Sequence, residues 1–449
     1  MGYNHEFINK LYNEADIKLL NEKKVNSRNK IAFSAPLIYT VDHFEKIWRH
    51  LDKKDFDVLV EKPYREYMPD GYYEYYKFNH NFLCQYLQDR GINYYDTVDC
   101  IKELIQYDFL LTFGLAELIF PTVYTFVEYE YKIAKKHIRY MTHGFNRHNY
   151  NPNWNKYYWM FLCQGEYQYN SLERYQNTAI RVITGYPRLD DFFTNETVPF
   201  GIFESLRYNG KKTILWMPTH GEGNSLIYFY EIFLKLSDDF NLILKPHDNC
   251  FTDSETSNII KYLETSKKVF IYRSIGDDTI LYRLADYIIA DYGGTLFSCI
   301  YADKNTLLLH KHKRKSNYDL FPMETFLRTY IITVSDVNAD LIKRILMDDQ
   351  IWSKQKLIRQ ALRNKFFAPY YGFSGEVTAN LLKNIRSVDR EHLILTDDIK
   401  IKEFGYPLVY RIQRSAYIYL RIVMEKVIGE ESTTKITAFV KRLFGKSEL

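Results

Sequence analysis

The sequence predicts an α/β protein with two domains, each built on a largely parallel β-sheet that is covered by helices. The chain has 449 residues, and a single hydrophobic core rarely grows past about 250–300 residues. Short apolar runs alternate with longer helical stretches, which is typical of βαβ units. This alternation stops in a turn-rich segment around Pro187 to Gly210 and then starts again, which indicates a second sheet.

The first half of the chain begins with a polar segment, residues 1–30, that we expect to form a helical lead-in. The apolar runs after it predict strands, and the longer mixed stretches between them predict helices. The predicted strands are Ile31–Pro36, Phe56–Val60, Gly91–Tyr95, Phe109–Thr112, His137–Thr142 and the short run Val182–Ile183, and the predicted helices are His43–Leu51 and Phe82–Arg90.

The second half repeats the pattern with runs that are apolar throughout instead of alternating. Such runs are expected of parallel strands that are buried on both faces of a sheet. The predicted strands are Thr213–Met217, Leu242–Lys245, Val269–Tyr272, Asp286–Asp291, Thr306–Leu309 and Tyr330–Val334, and the predicted helices are Ser225–Leu236 and Leu296–Tyr301.

These patterns predict three parts along the chain. Residues 1–195 form a Rossmann-like domain, residues 196–385 form a second one, and residues 386–449 form a helical, basic extension. We expect the two sheets to face a central cleft.

Composition narrows the class of protein. The net charge is +4 and the pI is about 8.4, which is too weakly basic for a nucleic-acid partner. The 41 tyrosines and 30 phenylalanines are typical either of a carbohydrate-stacking surface or of codon bias in a genome rich in Lys, Asn, Ile and Tyr codons. Five scattered cysteines without Cys-x-x-Cys spacing argue against a zinc site or a disulfide framework and fit a reducing cytosol.

The N-terminus does not read as a targeting segment. It has no basic region followed by an apolar run, and Glu6 stands where a myristoylation motif has Ser or Thr. The stretch Phe109–Val127 is apolar apart from Glu117, but Gly114 and Pro121 interrupt it. We interpret it as a strand, a short helix and a strand in preference to a membrane-spanning helix.

Polar and glycine-rich clusters follow the predicted strands, where ligands bind in open α/β sheets. One histidine at a strand end is more often structural, but three histidines and a glycine pair at such ends predict a site. The clusters are His143-Gly144, Thr184-Gly185-Tyr186-Pro187-Arg188, Pro218-Thr219-His220-Gly221, Lys245-Pro246-His247-Asp248 and Asp291-Tyr292-Gly293-Gly294-Thr295.

These residue types suit a nucleotide-diphosphate donor. Gly293 and Gly294, with Thr295 opening a helix, can present backbone N–H groups to a phosphate; the alternative is a simple strand-to-helix turn. Arg188 and Lys245 can neutralise the charge of a departing nucleotide, and a histidine can accept the proton of an attacking hydroxyl. No Asp-x-Asp pair stands at a strand end, so we expect chemistry without a metal or other cofactor.

As an ordered set, these clusters resemble the CDP-glycerol glycerophosphotransferases, the teichoic-acid primases and polymerases, over roughly residues 138–309. The resemblance implies a GT-B fold, a CDP-polyol donor and an acceptor hydroxyl on a lipid-linked or polysaccharide chain. It implies that His143 is the general base and that His247 is the family's second histidine. It also implies that Asp291 to Thr295 form the donor-phosphate loop. Together with the cations and the strand-end residues above, the predicted donor-binding set is Arg188, Thr219, His220, Lys245, Asp291, Gly293, Gly294 and Thr295.

The sequence departs from the family pattern mainly where the donor binds. The glycines 293 and 294 replace the two serines of Asp-Tyr-Ser-Ser, and Ser298 stands where an acidic residue is common. His220 and Gly221 follow Pro218-Thr219 where an arginine is usual, and Phe145-Asn146-Arg147-His148 replaces Thr-Pro-Leu-Lys after the His-Gly pair. A Gly-Gly after the aspartate also occurs in UDP-N-acetylglucosamine 2-epimerases.

The C-terminal extension carries one apolar stripe with basic flanks. Ile436, Phe439, Val440, Leu443 and Phe444 share a helix face, beside Lys435, Lys441, Arg442 and Lys446. This pattern is typical of a helix that docks on anionic lipid, or else of a helix packed on the protein body or on a second copy. With a lipid-linked acceptor it predicts a cytoplasmic protein, peripheral on the inner leaflet.

The sequence therefore predicts a transferase that moves glycerol- or ribitol-phosphate from a CDP-linked donor to an acceptor hydroxyl in cell-surface polymer synthesis. A GT-B glycosyltransferase that uses a sugar nucleotide is the first alternative. A UDP-sugar 2-epimerase is the second, although the segment after Gly294 lacks the glutamates that epimerases place there.

Overall fold

A computed structural model describes residues 5–66, 73–112, 133–141, 158–173, 179–194, 209–251, 253–273, 278–310 and 322–387. Within these ranges the chain forms two β-sheets in which every described strand pair is parallel. Helices lie between most successive strands of the described ranges, so the predicted α/β class is confirmed.

The first sheet contains seven strands in the order β3-β2-β1-β4-β5-β6-β7. Its strands are β1 Asn26–Ser34, β2 Phe56–Val60, β3 Tyr94–Asp96, β4 Ile105–Thr112, β5 Ala134–Tyr140, β6 Met160–Cys163 and β7 Ile180–Ile183. The helices of this half are His5–Glu22, Val41–Trp48, Tyr73–Asp89, Thr97–Lys102, Glu166–Glu173 and Asp190–Phe193.

The second sheet contains six strands in the order β10-β9-β8-β11-β12-β13. Its strands are β8 Thr213–Met217, β9 Asn241–Leu244, β10 Phe270–Ile271, β11 Tyr287–Ala290, β12 Asn305–Leu309 and β13 Thr333–Val334. The helices are Leu226–Leu236, Ser254–Ser266, Thr279–Leu284, Thr295–Tyr301, Pro322–Tyr330, Ala339–Met347, Asp349–Phe366 and Ser374–Lys383.

Both sheets share the strand order of a Rossmann fold. In each, the chain runs outward through three strands, returns to the centre and continues in the opposite direction, so a topological switch point lies between β1 and β4 and another between β8 and β11. Crevices at the carboxyl ends of such strands are where ligands bind in open α/β sheets.

Alternate side chains of the central strands enter separate cores on the two faces of each sheet. In β8, Leu215 and Met217 belong to one core and Ile214 and Trp216 to the other. A strand buried on both faces has no polar face to alternate with, which explains why these segments read as continuous apolar runs.

The last described helix, Ser374–Lys383, returns from the second sheet to the first. Its residues Ala379 and Leu382 are buried in the core that contains Phe33 of β1. The Asp190 carboxylate accepts hydrogen bonds from the backbone N–H groups of Ser374 at 3.2 Å and Gly375 at 2.6 Å. The first core is thus completed by a helix that follows the second sheet in the sequence.

Some sequence-based predictions differ from the observed elements. The segment Tyr330–Val334 is not one strand, because a helix extends through Tyr330 and only Thr333–Val334 pairs with β12. The strand Met160–Cys163 was not predicted. The helix expected over Phe82–Arg90 begins earlier, at Tyr73.

The described residues include only part of the segments for which the sequence analysis made predictions about the membrane. Phe109–Thr112 ends strand β4, whereas residues 113–127 of the apolar stretch and residues 388–449 of the basic extension lie outside the described ranges. Among the helices that can be described, none combines the length and the apolar character needed to cross a bilayer.

Candidate functional site

The switch point of the second sheet is held together by the carboxylate of Asp291. Its Oδ1 accepts hydrogen bonds from the backbone N–H groups of Thr219 at 2.8 Å and Tyr292 at 2.7 Å, and its Oδ2 accepts one from Ser225 at 2.8 Å. Asp291 follows β11, whereas Thr219 and Ser225 belong to the loop after β8. One side chain therefore fixes two loops against each other at the edge where a ligand is expected.

Burial governs the ionisation of this carboxyl group. Asp291 is 1% exposed, and its burial raises its pKa to about 6, although the three backbone N–H groups favour the charged form and act in the opposite direction. Both oxygens of Asp291 already accept hydrogen bonds from the protein. The side chain therefore organises the loops and is poorly placed to bind the nucleotide-diphosphate donor itself.

The glycine pair continues from Asp291 as a tightly turned, partly open backbone. Gly293 has a φ of +90°, which L side chains rarely adopt, and a Cβ on it would lie 4.0 Å from Thr219 Oγ1. Gly294 precedes the helix Thr295–Tyr301 and offers no side chain to cap it. Gly293 is exposed, and Gly294 and Thr295 are half-buried, so this backbone remains accessible at the sheet edge.

The contacts of Tyr292 fix the position of the glycine turn. Its hydroxyl shares a 2.9 Å hydrogen bond with His310 Nδ1, and the Arg328 guanidinium lies 4.3 Å from its ring centroid. Arg328 also donates to the carbonyls of Asp291 and Leu309. The position of the glycine turn is therefore fixed by residues after β11 and β12 and by the helix Pro322–Tyr330.

Two histidines lie side by side at the ends of β8 and β9. The ring centroids of His220 and His247 are 4.2 Å apart, with 32° between their planes. They meet because the two loops remain paired beyond the strands: the His247 N–H donates to the Pro218 carbonyl at 3.1 Å. Both side chains are exposed at the sheet edge.

The imidazole rings of His220 and His247 have different surroundings. The backbone N–H of Asn249 donates to His247 Nδ1 at 3.2 Å, so a neutral His247 carries its proton on Nε2 and can donate from there. Partial desolvation lowers the pKa of His220 below its ordinary value, even though part of the ring faces solvent.

Arg188 and Lys245 are brought together by a carboxylate that sequence reasoning did not identify. Asp278 Oδ2 accepts a 3.1 Å hydrogen bond from Arg188 Nη2 and lies 3.6 Å from Lys245 Nζ. Its side chain is only 2% exposed. Arg188 comes from the segment after β7 and Lys245 from the loop after β9, so the cluster, which we call the cation pair, joins both halves of the chain.

The cation pair keeps an excess of positive charge. Two cations share one carboxylate, so the cluster carries a net charge of about +1. Burial alone lowers the pKa of the Arg188 guanidinium, but Asp278, followed by the Tyr186 and Tyr282 hydroxyls, raises it well above its usual range. Arg188 Nε is buried without a hydrogen-bond partner, and such an orphaned donor costs stability unless a ligand satisfies it.

A helix of the first half reaches the histidine loop. Tyr75, on the helix Tyr73–Asp89, donates from its hydroxyl to Asp248 Oδ2 at 3.4 Å. Burial, and next the Asp248 carboxylate, raise the pKa of Tyr75, which keeps the hydroxyl protonated as a donor. The residue after His247 is therefore anchored to the first half of the chain.

The structure thus brings together many of the residues selected from the sequence. Thr219 lies with Asp291, His220 with His247, and Arg188 with Lys245, while Gly293, Gly294 and Thr295 border the first of these groups. His143 lies outside the described residues, so its position relative to them stays a prediction. No cluster of three or more His, Cys, Asp or Glu side chains within the described ranges could hold a metal ion.

The residues that sequence reasoning missed are Asp278, Tyr75 and Ser225. Ser225 had a local signal, since it is the first residue of the predicted helix Ser225–Leu236. Asp278 and Tyr75 had none, because Asp278 meets Arg188 across 90 residues and Tyr75 meets Asp248 across 173.

Comparisons with known proteins address the fold. The sequence matches no family model and no curated protein. Among solved structures, a variant of the wall teichoic acid polymerase TagF soaked with CDPG has a TM-score of 0.56 at 12% identity, covering 85% of this chain and 95% of that chain. TagF itself gives 0.53 at 14%, covering 85% and 95%. The MnaA–UDP complex from S. aureus gives 0.53 at 14%, covering 84% and 100%.

The chain has the GT-B fold. Two observations support this fold: the chain forms two Rossmann-type sheets, and its structural similarity to the solved structures covers nearly their whole length. At these identities the likeness establishes the GT-B architecture and leaves the reaction to be argued from the site.

Proposed function

We propose that the protein is a transferase that moves glycerol- or ribitol-phosphate from a CDP-linked donor to an acceptor hydroxyl, in the synthesis of a cell-surface polymer. The observation that carries the proposal is that the loop after β9, at the carboxyl edge of the second sheet, supplies Lys245 to the cation pair and His247 to the paired histidines. TagF, with which the fold is shared, is a wall teichoic acid polymerase, and one of its structures was obtained after a CDPG soak.

The electrostatics of the cation pair suit a nucleotide diphosphate. The donor's two phosphates bring negative charge to a cluster with a net charge of about +1, and Arg188 has an unused buried donor in Nε. Arginine binds phosphate oxygens through several fixed N–H groups, and lysine adds a point charge. In the proposed reaction this charge stabilises the departing nucleotide most strongly as the transition state forms.

The reaction transfers a phosphoryl centre between two oxygens. The acceptor hydroxyl oxygen bonds to the donor's β-phosphorus, while the bond from that phosphorus to the bridging oxygen breaks and CMP leaves with the electron pair. His143 takes the hydroxyl proton, as the family resemblance implies. His247 donates from Nε2 to a phosphate oxygen, which fits the proton position set by Asn249. Thr219 and the backbone of Gly293 to Thr295 border the donor phosphates.

The test is turnover by the purified full-length chain. It is incubated with CDP-glycerol, CDP-ribitol and a set of UDP-, GDP- and CMP-sugars, with and without lipid-linked and polysaccharide acceptors, and the released nucleotide is quantified by ion-exchange chromatography. We expect CMP release from a CDP-polyol and a loss of at least about 100-fold in His247→Ala. The exposed His50, on the first half, provides the matched control His50→Ala, which should retain the rate. Absence of CMP release from every CDP-polyol refutes the proposal.

A GT-B glycosyltransferase that uses a sugar nucleotide is the second candidate. It is favoured by Gly293 and Gly294, which replace the serines of the glycerophosphotransferase pattern, and by the shared fold with the UDP complex of MnaA. Release of UDP, GDP or CMP from a sugar donor in the same assay, without turnover of CDP-polyols, selects this candidate.

The proposal assigns the basic C-terminal extension a role in membrane binding. We place the enzyme on the inner leaflet through Ile436 to Phe444, because a lipid-linked acceptor is presented there. Sedimentation with vesicles that contain phosphatidylglycerol, compared with neutral vesicles, tests this placement, and equal binding to both vesicle types contradicts it.

A further inference from the structure

The helix Tyr73–Asp89 presents two large aromatic rings to solvent. Phe78 is 58% exposed and Phe82 is 44% exposed. Their ring centroids lie 6.5 Å apart with 28° between the planes, so two roughly parallel rings stand side by side on the helix surface, and we call this pair the aromatic platform. Packing of the first core does not require it, since the buried side of the same helix is formed by Asn79, Leu83 and Leu87.

The aromatic platform is continuous with the candidate site. On a helix of 3.6 residues per turn, Tyr75, Phe78 and Phe82 fall within a sector of about 60°, and they span about 10 Å along the axis. Tyr75 stands at the end where its hydroxyl reaches Asp248, the residue after His247. The surface therefore starts at the histidine loop and leads away from it.

Charge on this helix argues against two classes of partner. The charged side chains of the helix are Glu74, Lys77 and Asp89, and Glu74 is paired with Arg65 at 2.9 Å, so the helix surface has no excess of either charge. A helix that docks on anionic lipid carries a lysine- and arginine-rich polar face, which this helix lacks, and a polyanionic chain would find no excess of positive charge on it. Exposed Asn81 and Gln85 border the rings with neutral amide groups.

We infer that the aromatic platform binds a neutral saccharide segment of the acceptor and guides its hydroxyl to the histidines. The C–H face of a sugar ring packs on an aromatic face, and its hydroxyl groups exchange hydrogen bonds with neighbouring amides, as expected of rings that combine large apolar area with a polar border. This inference rests on the proposed transferase function, because it assigns the acceptor of that reaction.

The experiment measures saccharide binding without any donor. Wild type and the double variant Phe78→Ala/Phe82→Ala are titrated with a β-linked N-acetylglucosamine disaccharide, maltotriose and cellotriose, and Kd is obtained from NMR shift changes. We expect at least one saccharide to bind wild type and the double variant to bind it about tenfold or more weakly, because both stacking faces are lost. Phe82→Trp, which keeps a flat ring, should retain binding.

Matched controls separate this inference from the proposed function. Tyr262, 56% exposed on the helix Ser254–Ser266, packs against Tyr230, and Tyr262→Ala should leave saccharide affinity unchanged. CDP affinity, measured in parallel, should be equal in wild type and the double variant, so failure of the donor site appears independently. The inference is overturned if no saccharide binds wild type or if the double variant binds equally well. It is also overturned if the double variant instead loses binding to phosphatidylglycerol vesicles, since the surface would then be a membrane contact.

Discussion

Replacing Asp278 by asparagine should strengthen the binding of CDP. The substitution keeps an oxygen that can accept from Arg188 but removes the negative charge, so the cation pair changes from a net +1 to +2. A unit charge acting on a phosphate roughly 6 Å away at an effective dielectric of about 20 contributes about 3 kcal/mol. Solvent and salt reduce this to about 1–2 kcal/mol, equivalent to roughly 5- to 30-fold in Kd.

The assay is isothermal titration calorimetry with CDP, CMP and cytidine at two salt concentrations. The gain should be largest for CDP, smaller for CMP and absent for cytidine, and it should shrink at high salt. Asp278→Ala also removes the acceptor for Arg188, so it should bind CDP less tightly than Asp278→Asn. Both variants should unfold at lower temperature than wild type, because a buried pair loses one partner.

A matched control is available in a second ion pair. Asp303 lies 3.1 Å from Arg359, which is largely buried beside β12, so Asp303→Asn should lower stability and leave nucleotide affinity unchanged. If Asp278→Asn binds CDP with unchanged or weaker affinity, the cation pair does not contact the donor phosphates and the reasoning fails.

Three further predictions concern named residues. Asp291→Ala leaves three backbone N–H groups without their acceptor and should cost about 3 kcal/mol or more in urea unfolding. Since the folded pKa of about 6 lies above the unfolded value, Asp291 makes wild-type stability fall as pH rises from about 4 to about 6, and a variant that keeps this slope contradicts the assignment. Gly375→Ala places a Cβ 1.9 Å from the Lys46 carbonyl oxygen and should lower the free energy of unfolding by about 1–3 kcal/mol; an unchanged Tm contradicts this. His220 should titrate below 6.5 in NMR, because its folded pKa is lowered, and titration above that value contradicts the desolvation argument.

The fold was predictable where burial dictates composition. The segment Thr213–Met217 was predicted with its observed bounds because a strand covered on both faces must be apolar throughout. The strand Met160–Cys163 was not predicted, because a run of four apolar residues is too short for its periodicity to distinguish a strand from a helix. Tyr330–Val334 was wrong because its apolar character comes partly from the end of a helix, whose Tyr330 is exposed.

The candidate site was predictable where its residues follow strands in the sequence. Thr219, Lys245 and Asp291 were found because strand ends converge on one edge of a parallel sheet. The net charge of the cation pair was not predictable, because it depends on Asp278, which is distant in sequence from Arg188 and Lys245. The organising role of Asp291 was also hidden, since sequence gives no indication that backbone N–H groups occupy both carboxylate oxygens.

The return of the helix Ser374–Lys383 to the first sheet has a consequence for folding during synthesis. Ala379, Leu382 and Ile385 complete the core that contains Phe33 and Val58, so that core stays open until the last described helix leaves the ribosome. About 190 residues separate the end of β7 from this helix, and at about 5–20 residues per second they take roughly 10–40 s to emerge. For that time the nascent first half exposes apolar surface that Ala379, Leu382 and Ile385 cover in the folded protein.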